Sequence, residues 1–223
     1  MTSNVWNQVL SIAEKVENKI QQYGSALPPV DSEYNWYNSL YTGDLYRKAH
    51  VEMVDKRDSH KILILHCTIF PHYDNPGPIW GFDAVCGANK ITGAFHDLSS
   101  GGDPNNTIIQ WFSRRSAELS WNKRRELPTW ASDIFSPYII AAGNVSDQQE
   151  LAALENLVLE SLDYYLSHLP ESREPGSDYW SVQSRYNKNN KLNPHVVKSM
   201  VSMGVPESTM KRFIDEVLYP EDR

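Results

Sequence analysis

Cysteine is scarce in this 223-residue chain: Cys67 and Cys86 are its only two, and neither sits in a CxxC arrangement. That removes a dithiol redox motif and a cysteine-rich metal site, and both thiols read as buried side chains in strand-like runs rather than as a disulfide. No apolar stretch approaches the ~20 residues needed to span a bilayer, and the polar, helical N-terminus does not resemble a signal peptide. Basic charge is also short, with 21 Lys and Arg against 28 Asp and Glu for a net charge of −7. General nucleic-acid binding, which depends on neutralising phosphates, is therefore not expected. The glycine-rich dinucleotide and P-loop signatures, the GxSxG nucleophile elbow and the HExxH zinc pattern are all missing. Nothing marks an internal repeat, a low-complexity tract or a linker, so residues 1–223 read as one domain of a cytoplasmic protein.

What is present follows a helix, sheet, helix order. Trp6, Val9, Ile12, Val16 and Ile20 recur at helical spacing over residues about 4–23, and Gly24 with Pro28 and Pro29 ends that helix. After an aromatic loop containing Tyr34, Trp36, Tyr37 and Tyr41, strand-like runs cover about 44–55, 61–70, 79–86 and 90–98. Their short, turn-rich connections favour an antiparallel meander. Ile108, Ile109, Phe112 and Leu119 mark a further helix, Pro128 to Pro137 reads as loop, and Tyr138 to Ala142 as another strand. Ser146 with Gln149 resembles a capping box opening a helix to about residue 168, with Leu151, Leu154, Val158, Leu162 and Leu166 as its buried stripe. Helical pattern returns over 178–203, broken by Pro194, and from Pro206 to Val217. One sheet between helices is the simplest architecture for this order.

Two titratable residues stand out in the apolar runs: His66 and Asp83. A hairpin centred between Asp74 and Asn75 would set them opposite each other, as a proton donor and acceptor with mutually coupled pKa values. The two-residue period puts Ile62, Ile64, His66, Thr68 and Phe70 on one face, and Ile79, Gly81, Asp83 and Val85 on one face of the next run. Gly81 removes a side chain beside Asp83, which can let a ligand approach the sheet. His50 and Glu52 share a face of the first run, and an evenly centred turn at Arg57 and Asp58 would bring His50 opposite His66. A lone strand histidine is usually a satisfied core residue, whereas an unpartnered buried carboxylate is costly. A metal held by His50, Glu52, His66 and Asp83 is conceivable, but no ligand spacing supports one. Residue chemistry alone thus gives an acid/base pocket on a sheet, with no substrate.

A family resemblance goes further. Tyr46 to Glu52, Ile64 to Pro71, Pro78 to Asp83, Gly93 to Ser99, Arg125 to Trp130 with Ile134 to Ser136, Asn187 to Lys191 and Phe213 to Tyr219 resemble, in order and at compatible spacing, the ferredoxin-dependent bilin reductases. The phycocyanobilin:ferredoxin oxidoreductase branch is the most similar. The resemblance implies an α/β fold, a three-layer α/β/α sandwich with a central antiparallel sheet. It also implies biliverdin IXα between the sheet and the C-terminal helices, no bound metal or organic cofactor, electrons from reduced 2Fe–2S ferredoxin, and a monomer. By the same resemblance Asp83 matches the aspartate that protonates the bilin, His66 its partner, and Glu52 the donor to the ring D vinyl group. His50 matches the histidine before that glutamate, Arg125 and Lys191 match propionate-binding positions, Thr92 a small hydroxyl near a propionate, and Asn189 a pocket position. Asn190 departs from the branch, which has an aspartate there. An amide cannot donate and recover a proton as a carboxyl does, which favours phycoerythrobilin as product, with phycocyanobilin, or a non-catalytic bilin carrier, as the alternatives. Lys48, Arg114, Arg115, Lys123 and Arg124 are the candidates for docking an acidic ferredoxin.

Overall fold

Apolar side chains at helical spacing give α1 (Val5–Gln21), which buries Val5, Val9, Ile12, Val16 and Ile20 along one side. The computed structural model describes residues 5–221, so the expected first helical position, Asn4, lies outside the described residues. Seven strands then form one antiparallel sheet in sequence order: β1 (Gly24–Ala26), β2 (Tyr37–Gly43), β3 (Tyr46–Lys56), β4 (Ile62–Pro71), β5 (Ile79–Cys86), β6 (Ile91–Ser99) and β7 (Ile140–Ala142). The four central strands fall within two residues of the bounds expected from their hydrophobic runs. β1 and β2 were not expected. The segment from Tyr37 to Gly43 is polar and aromatic without clean alternation, and it becomes strand because β3 offers it a pairing edge.

The helical turn α2 (Arg57–His60) joins β3 to β4, and α3 (Thr107–Ala117) follows β6. The long helix α4 (Gln148–His168) is capped by Asp147, whose carboxylate accepts the amides of Gln149 and Glu150. Asp147 therefore replaces the expected Ser146 cap, since its side chain stands one residue nearer the free amides and reaches both. Pro194, which cannot continue a helix, separates α5 (Trp180–Lys191) from α6 (Pro194–Ser202) and occupies the first turn of the latter. α7 (Glu207–Phe213) then passes into a π-helical turn over Ile214–Leu218.

Alternation along the strands sorts side chains into two cores. Ala49, Val51, Leu65, Cys67, Trp80 and Phe82 pack with α1, α3 and α4. Val54, Phe70 and Ile79 pack with Tyr186, Met200, Phe213 and Val217 from the C-terminal segments. Helices therefore cover both faces of the sheet, which is the α/β/α sandwich. Cys67 and Cys86 are buried free thiols on the first side. Among the described residues no helix is long and apolar enough to cross a membrane.

The β4–β5 hairpin is pinned at its turn. Arg173 Nε donates to Asp74 at 2.7 Å, Asn75 Nδ2 donates to the Leu169 carbonyl at 2.8 Å, and Asn75 Oδ1 accepts the Gly77 amide at 2.8 Å. A turn held this tightly fixes the register of the strands it joins.

Candidate active site

The register builds rows of side chains across the face beneath the C-terminal helices. One row runs Glu52, His66, Asp83 and Phe95 from β3 to β6; the next runs His50, Thr68, Gly81 and Asp97. His66 and Asp83 are opposed, as the hairpin argument expects. Glu52, not His50, faces His66. The connection through α2 is centred on Ser59, one residue beyond the Asp58 centre that would pair His50 with His66, so the pairing moves by two residues and the face is preserved.

His66 Nδ1 is hydrogen-bonded to Asp83 Oδ1, and the two side chains are 13% and 39% exposed. Asp83 therefore keeps an open flank toward the cleft. Burial alone pushes the His66 pKa down, but the adjacent Asp83 carboxylate, its hydrogen bond and the charge of Glu52 outweigh burial and carry it above the ordinary value. His66 Nε2 is buried with no hydrogen-bond partner, as is Thr68 Oγ1 beside it. Buried polar atoms left unpaired are uncommon and point to a ligand or solvent site.

Glu52 is buried and accepts the Trp36 indole N–H at 2.7 Å. Burial raises its pKa from 4.5 to about 7, against the pull of His66 and the Trp36 hydrogen bond. The consequence for stability has a definite sign. Between those two values the folded state retains a proton that the unfolded chain has lost, so Glu52 lowers stability as pH rises, by up to about 3 kcal/mol. Glu52→Gln should gain stability relative to the parent between pH 4.5 and 7, read from urea unfolding at each pH. A pH-independent difference would contradict the neutral buried carboxyl.

His50 is fully buried, 3.0 Å from Asn38 Oδ1 through its Nε2. The Asn38 amide nitrogen donates to the Trp36 carbonyl, so its oxygen faces the ring and Nε2 carries the proton. Burial, then Lys48 and His66, hold His50 neutral. It lies under Phe213, 6.2 Å between ring centres, and outside the cleft lining.

The cleft above these rows holds about 1080 Å³ of space, part of it open to solvent. Its floor includes Glu52, His66, Thr68, Gly81 and Asp83, and a Cβ at Gly81 would meet nothing within 4 Å, so the floor beside Asp83 is bare as expected. Its cover comes from Tyr186 and Asn190 of α5, His195 and Met200 of α6, and Leu218 and Tyr219. Lys48, expected as a docking residue, is buried beneath that cover instead. Its ammonium donates to the Val217 carbonyl and, at 2.8 Å, to that of Leu218, and burial lowers its pKa to about 7. Of the other docking candidates, Arg115 is paired with Glu118 and Glu160, while Arg114, Lys123 and Arg124 are exposed.

The remaining expected binding residues divide. Asn190 is buried in the lining and donates to the Tyr186 carbonyl at 2.9 Å. Thr92, Arg125, Asn189 and Lys191 stand outside the lining. Arg125 lies at the rim, 5.5 Å from the Phe95 ring and 3.2 Å from the Thr92 carbonyl, while the Thr92 hydroxyl donates to Val85. Asn189 donates to the Asp133 carbonyl, and Lys191 is paired with Asp215 and Glu221. Asp97, Trp36, Tyr186, His195 and Tyr219 are additions that residue patterns did not single out. Asp97 carried the same signal as Asp83, a carboxylate on one face of an apolar strand. For the C-terminal residues, helical periodicity does not say which face meets the sheet. Among the described residues no three His, Cys, Asp or Glu side chains are grouped to hold a metal ion.

A family model described as ferredoxin-dependent bilin reductase matches residues 2–220. The chain is 32% identical to the phycocyanobilin:ferredoxin oxidoreductase of Synechococcus elongatus over 120 residues, covering 53% of this chain and 47% of that protein. It is 30% identical to that of Prochlorococcus marinus over 131 residues, covering 58% and 50%. The match thus spans about half the length of these relatives. Its fold is similar to that of the solved structure of PcyX, with a TM-score of 0.70 at 21% identity over 95% of this chain and 98% of that one. It is also similar to phytochromobilin synthase from tomato in complex with biliverdin, with a TM-score of 0.65 at 16% identity over 96% and 82%.

Proposed function

The chain belongs to the ferredoxin-dependent bilin reductases, and from that membership we propose that it reduces biliverdin IXα by four electrons, taken singly from reduced ferredoxin. The observation that carries this reading is the row of Glu52, His66 and Asp83 along the floor of one covered cleft. A donor of single electrons leaves radical intermediates that need protons, and this row supplies three titratable groups within reach of one flat ligand. Asp83, partly open to the cleft and tied to a histidine with a raised pKa, is the central proton donor. His66 restores its proton. Glu52, whose pKa burial raises to about 7 so that it still holds a proton near neutrality part of the time, is the donor at the β3 side. His50 stays neutral and flanks this row from the neighbouring one.

Arg125 meets a bilin propionate from the rim, where its guanidinium can form a bidentate pair. Lys191 serves the second propionate by exchanging its contacts with Asp215 and Glu221 for the ligand; Thr92 and Asn189 steady this edge. Asn190 contributes a hydrogen bond and no proton, which favours phycoerythrobilin over phycocyanobilin as the product. The test mixes the protein with biliverdin, ferredoxin and a ferredoxin-reducing system, and identifies products by absorbance and chromatography. Conversion to a four-electron-reduced bilin is the expected result. Tight binding with an unchanged biliverdin spectrum would overturn the reading in favour of a carrier.

A further inference from the structure

The cleft holds one more buried carboxyl, and nothing in the preceding assignment uses it. Asp97 on β6 pairs with Gly81, is 4% exposed and belongs to the cleft lining. It stands three strands from Glu52, roughly 14 Å at the usual spacing, so the two carboxyls serve opposite ends of a long ligand. The Ser99 hydroxyl donates to Asp97 Oδ2 at 2.6 Å, the Ser136 hydroxyl to Oδ1 at 2.5 Å and the Ser136 amide to Oδ2 at 2.8 Å. Burial, opposed by these bonds, raises its pKa to about 6, so it exchanges protons near neutrality.

The contacts of Asp97 run through the wall of the cleft. On the inner side, the side chains of Ser99 and Asn190 stand near the Tyr186 hydroxyl, the Asn190 amide donates to the Tyr186 carbonyl at 2.9 Å, and all three residues line the cleft. On the outer side, Ser136 lines a surface groove beside the exposed Pro137 and Tyr138, and Phe135 and Tyr186 form the partition between groove and cleft. A hydrogen-bonded series from Ser136 through Asp97 to Ser99 therefore leads from the surface groove to the end of the cleft where Tyr186 stands and Asn190 offers an amide that cannot supply a proton.

We propose that Ser136, Asp97, Ser99 and Tyr186 form a proton inlet serving the end of the bilin remote from Glu52. The proposal rests on the bilin reductase reading. Each two-electron stage adds two electrons from ferredoxin and two protons across one conjugated system of the bilin. In the stage at this end, the Tyr186 hydroxyl gives a proton to a bilin carbon and regains one from Ser99, which takes it from the Asp97 carboxyl. The Asp97 carboxylate recovers its proton from solvent through Ser136. The other proton comes from Asp83.

The test compares Tyr186→Phe, Ser99→Ala and Asp97→Asn with the parent, in the biliverdin, ferredoxin and reductant mixture, resolving the two stages by chromatography. Tyr186→Phe retains the ring that packs on Phe70, 5.8 Å between centres, so it keeps the wall. The expected result is biliverdin binding within about threefold of the parent and one stage slowed at least about tenfold relative to the other. A two-electron-reduced bilin then accumulates. Completion of both stages by Tyr186→Phe and Ser99→Ala at the parent's rate would overturn the inlet. Equal slowing of both stages, or lost binding, would also overturn it by assigning the wall a purely structural part. A parent protein inert toward biliverdin would instead overturn the reductase reading, and the inlet with it.

Discussion

Asp83→Asn binds biliverdin about as well as the parent, yet its turnover falls roughly 10²–10⁴-fold, the range that a positioned proton donor contributes. The substitution keeps the shape of the side chain and a hydrogen-bonding oxygen for His66 but removes the transferable proton. Because the His66 pKa is held up largely by the Asp83 charge, the imidazole also loses basicity and becomes a poorer proton store. Electron delivery does not depend on that proton, so the first one-electron-reduced bilin should persist. Stopped-flow absorbance with electron paramagnetic resonance reads both effects. Full turnover by the variant would remove Asp83 from the mechanism.

Phe213→Ala carries the largest expected loss of stability, about 3–5 kcal/mol. The Phe213 ring is fully buried, with its centre 4.8 Å from that of Tyr34, 4.9 Å from that of Trp36 and 6.2 Å from that of His50. Its removal leaves a cavity between the C-terminal segment and the sheet, and the three rings cannot fill it without leaving their partners. Trp36 is the neighbour that matters for chemistry. Its N–H favours the ionised form of Glu52, so loosening it should raise the Glu52 pKa further above about 7. Urea unfolding measures the first effect and the alkaline limb of the pH–rate profile the second. A loss below about 1 kcal/mol would mean that the site closes over the gap and that Phe213 does not organise Trp36.

The central meander and the opposed pair His66 and Asp83 were legible because they are local. The alternation of Ile62 to Phe70 and of Ile79 to Val85 is strong, and one turn fixes how the two runs meet. β2 was illegible because its strand character comes from the edge of β3 rather than from its own residues. The partner of Glu52 is illegible for an equally local reason: α2 centres the connection on Ser59 rather than Asp58, and each one-position shift of the centre moves the register by two residues. Tyr186, His195 and Tyr219 lie more than 80 positions beyond the strands they cover, and no short-range pattern encodes that docking. Lys48 shows the same limit in reverse. A lysine in a strand reads as solvated charge until the carbonyls of Val217 and Leu218 arrive to accept its protons.

The nearest-neighbour order of the sheet bears on how the chain folds. Every strand pairing joins strands consecutive in sequence, and the pairings from β2 to β6 close over short connections. Such pairings demand little loop-closure entropy and form early, whereas docking of α5, α6 and α7 depends on contacts of long sequence separation. The paired His66 and Asp83 would thus be assembled within the first hundred residues, before the helices that enclose them dock. Substitutions in the late-docking helices should chiefly speed unfolding, while those in the β4–β5 hairpin should slow folding.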